Sequence, residues 1–113
     1  MKLITAIVRP EKLDDAMAAV TDAGASGLTV TYVQGFGRQY GHIDPAERRA
    51  ERRILILPKL RLDVVVPDEA AEPVIHAIAK TVGIGAIGDG KIWVSSVDSV
   101  LRVRTGETDD DAL

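Results

Sequence analysis

The chain has 113 residues, 46% hydrophobic and 27% charged, with a net charge of −3; this fits a single folded domain, and nucleic acid is not an expected partner. There is no cysteine, which excludes disulfides, thiolate metal sites and cysteine nucleophiles, and the two histidines, His42 and His76, are too far apart in sequence to indicate a histidine-rich metal site. No run of about 18 apolar residues occurs and the N-terminal apolar run is too short for a signal peptide, so the expectation is a cytoplasmic protein that does not insert into membranes.

Residues 2–8 are rich in strand formers and end at Arg9-Pro10. Leu13, Ala16, Met17, Val20 and Ala23 follow at spacings of three and four, which predicts one apolar face of a helix. Gly24 and Gly27 close it, and Leu28-Thr29-Val30-Thr31-Tyr32-Val33 reads as a strand. The same order returns from residue 60. Leu60, Leu62, Val64 and Val66 alternate up to Pro67; Ala71, Val74, Ile75, Ile78 and Val82 share a helical face; a glycine-rich turn and the strand 91–97 complete the unit. Two such units predict an α+β, ferredoxin-like βαββαβ domain spanning residues 1–113, with both helices on one face of an antiparallel sheet. Apolar residues of both parities in the strands favour a cover of further copies of the chain on the other face, a half-solvated face being the plainer alternative. A short strand is also expected over 100–104, and the acidic end, 107–113, is expected to be a mobile tail.

Between the halves lies an oversized connection, about 37–58, where a hairpin needs only a few residues. It opens on Gly35-Phe36-Gly37-Arg38-Gln39-Tyr40-Gly41 and carries Ala46-Glu47-Arg48-Arg49 followed at once by Ala50-Glu51-Arg52-Arg53. Asp44 as N-cap, Pro45 at the first helical position and Glu47 in a capping box predict a short helix at its apex. Isolated helices of this size are marginal in water, so order would come from a partner. Arg48, Arg49, Glu51, Arg52 and Arg53 are the candidate partner-binding residues; a solvated charged loop is the plainer alternative.

The glycine loop 83–91, Gly83-Ile84-Gly85-Ala86-Ile87-Gly88-Asp89-Gly90-Lys91, can converge backbone N–H groups on an anion, with Lys91 adding a charge. Residues 85–91 fit the start of a P-loop motif. Ile92 stands where a magnesium-binding hydroxyl is needed, however, and the context is helix–loop–strand, so P-loop hydrolysis is rejected. Arg102 and Arg104 would share one side of a strand, facing a polyphosphate or simply solubilising an edge. No catalytic triad, carboxylate pair or metal cluster supports an enzyme. The glycines around Asp89 favour a turn-stabilising role over that of a base.

These segments resemble the PII nitrogen-regulatory signal-transduction family from end to end. The resemblance rests on 1–8, Lys12-Leu13-Asp14-Asp15, Gly27-Leu28-Thr29-Val30-Thr31, Gly35-Phe36-Gly37-Arg38-Gln39, Gly41-His42, Leu57-Pro58-Lys59, Ile87-Gly88-Asp89-Gly90-Lys91-Ile92 and Arg102-Val103-Arg104-Thr105-Gly106-Glu107. It implies a homotrimer with ATP and ADP competing for clefts between subunits. Thr29, Asp63 and Val65 would face the adenine, and Gly37 and Arg38 would approach at the loop base. Gly88, Asp89, Gly90, Lys91, Arg102 and Arg104 would hold the phosphates. Gln39 would help to hold Mg2+ with ATP, and 2-oxoglutarate would join through Gln39 and Lys59. The long loop would dock on a membrane transporter or a regulatory enzyme, placing the protein at a membrane only through that partner.

The chain departs from the family pattern at functional places. Glu51 and Arg52 stand nearest the usual apical tyrosine, so no nucleotidylation is expected there. Ile84-Gly85-Ala86 replaces Thr-Gly-Lys, removing a hydroxyl and a cation, and Glu11 replaces an aromatic. These changes open an alternative: a divergent regulator of a different transporter, preferring ADP or AMP and not sensing 2-oxoglutarate. A slow nucleotide hydrolase and a structural trimer with a vestigial pocket are the competing functions.

Overall fold

The computed structural model describes residues 1–37 and 56–113. Its elements run β1 (Lys2–Val8), α1 (Leu13–Asp22), β2 (Thr29–Gly35), β3 (Leu57–Val66), α2 (Ala71–Val82) and β4 (Lys91–Ser96). Each helix is entered through a short 3-10 turn, Pro10–Lys12 and Asp68–Ala70. The four strands form one antiparallel sheet in the order β2-β3-β1-β4. This is the expected ferredoxin-like arrangement.

Alternation builds the core. Ile4, Ala6 and Val8 of β1 and Leu60, Leu62, Val64 and Val66 of β3 are buried together with Ala16 and Val20 of α1 and Ala71, Val74, Ile78 and Val82 of α2. Both helices therefore cover the same face of the sheet. The apolar stripe predicted on α2 holds, with Ile75 half-buried at its edge. On α1 the stripe is narrower than predicted: Met17 is 44% exposed.

Among the described residues, no helix covers the opposite face. Leu3, Ile7, Val65 and Trp93 lie on it, with a polar row at its centre. Thr5 donates to Asp63 Oδ1 at 2.8 Å and Arg61 Nε donates to Asp63 Oδ2 at 3.0 Å.

Three sequence expectations change. The connection between the halves ends earlier than residue 58, because Leu57, Pro58 and Lys59 already pair with Gly35, Gln34 and Val33. Pro58 is tolerated there because β1 reaches β3 only from Leu60 onward, so the ladder lacks a donor on no occupied side. The predicted strand over 100–104 is absent. Instead Leu101 makes an isolated bridge to Thr108, and Gly106, at φ 73°, lets its N–H reach Arg102 O at 2.8 Å. The chain thus reverses on itself at a glycine, and Arg102 and Arg104 do not share one side of a strand. The acidic end is folded rather than a free tail: Asp109–Ala112 form a 3-10 turn, and Val100 and Asp109 exchange hydrogen bonds at 2.9 and 3.2 Å.

Candidate functional site

A cleft of about 660 Å3 opens where the end of β1, the start of β3 and the start of β4 meet the glycine loop. Ile7, Gly35–Gly37, Leu57, Lys59, residues 86–91 and Trp93 line it. Gly37, Lys59, Gly88, Asp89, Gly90 and Lys91 of the predicted set are brought together here. The loop follows α2 and is shaped by glycines at positive φ, with Gly85 at 78°, Gly88 at 101° and Gly90 at 98°. Gly90 is also required sterically, since a Cβ there would overlap the Ile7 carbonyl. Gly37 carries no such requirement: a Cβ there meets nothing within 4 Å.

Asp89 closes the loop. Its Oδ2 accepts from the amides of Ile84, Gly85 and Ala86 at 3.0, 2.8 and 3.2 Å. Burial pushes its carboxyl up, but those three amides and the Arg9 guanidinium outweigh burial and hold it below the usual carboxylate range. This is the turn-stabilising role read from its flanking glycines. It also narrows the expected cradle, because the amides of Ile84, Gly85 and Ala86 are committed to Asp89. The amides of Ile87 and Gly88 have no acceptor among the described residues.

Two cations brace the loop from the sheet. Lys59, buried at 9% exposure, donates through Nζ to Gly88 O at 3.1 Å. Burial, then repulsion from Arg9, lowers its pKa, with Glu11 and Asp89 partly offsetting the shift. Arg9 donates through Nη2 to Ile87 O at 2.8 Å and approaches Asp89 Oδ1 at 3.6 Å. Sequence reasoning missed Arg9, although a cation at the end of a strand and just before a proline was a usable signal. It also missed Ile7, Phe36 and the chain's one tryptophan, Trp93, which is 44% exposed at the cleft wall.

The remaining predicted residues lie elsewhere. Thr29 and Asp63 are register partners on the open face, and Val65 lies one step beyond. Asp63 is about 13 Å along β3 from Lys59. Arg102 pairs with Glu107 at 3.0 Å, and Arg104 is exposed in the adjoining turn. None of these five lines the cleft. Arg38, Gln39, Arg48, Arg49, Glu51, Arg52 and Arg53, and the predicted apical helix, lie outside the described residues. Among the described residues, no group of acidic or histidine side chains could hold a metal ion, and no helix is long and apolar enough to cross a membrane.

The family described as nitrogen regulatory protein P-II matches residues 1–107. The chain belongs to the P-II family. It is 50% identical over 113 residues to a nitrogen regulatory protein P-II of Haemophilus influenzae, covering 100% of both chains. A P-II of Pasteurella multocida is 49% identical and a P-II 1 of Escherichia coli K12 48% identical, again over the full length of both chains. P-II proteins are regulators by name, and this chain is a P-II-type regulator rather than an enzyme.

Proposed function

We propose that this P-II protein senses adenine nucleotides in the cleft closed by its glycine loop and relays their presence to a target through the connection between its halves. The observation that carries this reading is the cleft itself. It combines a glycine loop held in shape by Asp89, the cations Lys59 and Lys91, and amides at Ile87 and Gly88 that have no acceptor among the described residues. Such a set suits a phosphate tail. Gly35–Gly37 on the same wall lead directly into the long connection, so a bound ligand touches the element that would carry the signal. A ligand transmits only if it favours one conformation of that element over another.

The binding site is completed between copies. The predicted nucleotide residues divide into a cleft group and an outlying group made of Thr29, Asp63, Val65, Arg102 and Arg104, which one chain leaves apart. A homotrimer would bring the outlying group of one protomer to the cleft of the next. Two features favour such an assembly: the open sheet face, and the C-terminal segment with Leu101 and Val103, the latter 95% exposed. In this reading ATP binds with Mg2+ held through Gln39, 2-oxoglutarate joins at Gln39 and Lys59, and the arginine-rich connection docks on a transporter or a regulatory enzyme. The location is the cytoplasm, with membrane association only through a transporter.

A second reading is favoured by Ala86 and Ile87, which give the cleft an apolar wall where a longer phosphate tail would call for a cation. It is a regulator of a different transporter that prefers ADP or AMP and ignores 2-oxoglutarate. Calorimetric titration of the full chain with Mg-ATP, ADP and AMP, each with and without 2-oxoglutarate, separates the two. Tighter Mg-ATP binding in the presence of 2-oxoglutarate supports the first; ADP or AMP binding indifferent to it supports the second. Absence of any nucleotide binding rejects both.

A further inference from the structure

We infer that Arg9 is a positioning residue of the cleft, which turns the Gly88 amide outward as a donor to the anionic tail of the ligand. The inference rests on the nucleotide reading above. Arg9 lies just past β1 with its side chain only 15% exposed, and its Nη2 holds the Ile87 carbonyl at 2.8 Å. Among the described residues no peptide bond is cis. In a trans peptide the C=O and the following N–H point in opposite directions. Fixing the Ile87 carbonyl on Arg9 therefore fixes the Gly88 N–H to point away from Arg9.

Gly88 lines the cleft, and its amide has no acceptor among the described residues. The next peptide plane is held as well. Lys59 takes the Gly88 carbonyl at 3.1 Å, and the Asp89 N–H reaches Ala86 O at 3.2 Å. Gly88 is thus clamped on both sides at φ 101°, a conformation open to glycine at little cost.

The same guanidinium reaches the loop a second way. Arg9 Nε and Asp89 Oδ1 are both buried and lack a hydrogen bond, yet face each other at 3.6 Å. This charge contact holds the carboxylate that gathers the amides of Ile84, Gly85 and Ala86. Preorganised donors lose less on binding than donors that must first be ordered. Arg9 acts on affinity through the loop, without needing to touch the ligand.

The test uses the full chain with Arg9→Ala, Arg9→Gln and Arg9→Lys, and ADP and Mg-ATP as probes. Calorimetry is expected to show affinity falling about tenfold in Arg9→Ala, with Arg9→Lys recovering part of the loss. In the nucleotide-free protein, hydrogen exchange of the Ile84, Gly85 and Ala86 amides should quicken in Arg9→Ala and return towards wild type in Arg9→Lys. Arg9→Gln keeps a donor without the charge and replaces Arg9→Ala if that variant does not fold. Wild-type exchange and affinity in the neutral variants overturn the inference, as does a loss that Lys fails to relieve at all. Failure of the wild type to bind nucleotide instead rejects the functional reading, and the exchange data then decide Arg9's role alone.

Discussion

The two halves of the domain share one plan and differ at one joint. Each runs strand, proline, 3-10 turn, helix and strand, yet the exits of the two helices are built differently. After α1, the Ala25 N–H reaches Val20 O at 3.2 Å and the Gly24 N–H reaches Thr21 O at 3.0 Å, with Gly24 at φ 97°. This is a Schellman close, which satisfies the helix end with backbone alone. After α2, residues 83–90 form a longer loop whose amides are gathered by a side chain, Asp89, and whose carbonyls at 87 and 88 are held by Arg9 and Lys59. One exit ends a helix. The other sets a largely buried arginine and a buried lysine to shaping its loop, as a joint facing the proposed ligand would require.

The largest expected effect comes from adding a methyl to the second exit. Gly90→Ala combines a left-handed φ with overlap on the Ile7 carbonyl, and should destabilise the protein by about 3 kcal/mol or more and abolish nucleotide binding. Denaturant titration and calorimetry would read both effects. Asp89→Ala should come next, freeing three amides and lowering nucleotide affinity by about tenfold or more, with faster exchange confined to residues 84–86. The matching change in the first exit, Gly24→Ala, meets nothing within 4 Å and should cost only about 1–2 kcal/mol from its φ, with nucleotide affinity unaltered. Equal losses of binding from Gly24→Ala and Gly90→Ala would erase the distinction between the exits.

The smallest effect is one of pH. The Asp89 carboxyl lies below its unfolded value of about 3.9, so its contribution to the loop is complete above that value and is lost as pH falls through the folded one. Amide shifts of Ile84, Gly85 and Ala86 should therefore hold steady from neutral pH to about 4 and move only below it.

The doubled unit was legible because strand alternation and helical spacing repeat with the same punctuation, Pro10 and Pro67 after the strands and glycines after the helices. The glycine loop was legible for the same reason, as was Asp89's place in the turn. Arg9 was hidden because its partners, Ile87 and Asp89, are about 80 residues away and meet it only through the pairing of β1 with β4. Arg102 and Arg104 were misplaced because alternation of apolar and basic residues looks like a strand, while a single glycine, Gly106, turns the chain back before a ladder can form. Met17 carries helical spacing but sits at the margin of the stripe, where burial depends on what packs beside the helix.

Receipt of an anionic nucleotide tail by the second exit, and not by the first, is best tested by amide chemical shifts during a titration of the full chain with ADP. Saturable movement is expected at Gly88, Gly90 and Lys91, accompanied by the Trp93 indole at the cleft wall, with Gly24 and Ala25 unmoved. Shifts that never saturate, or that fall on the first exit as strongly as on the second, would contradict it.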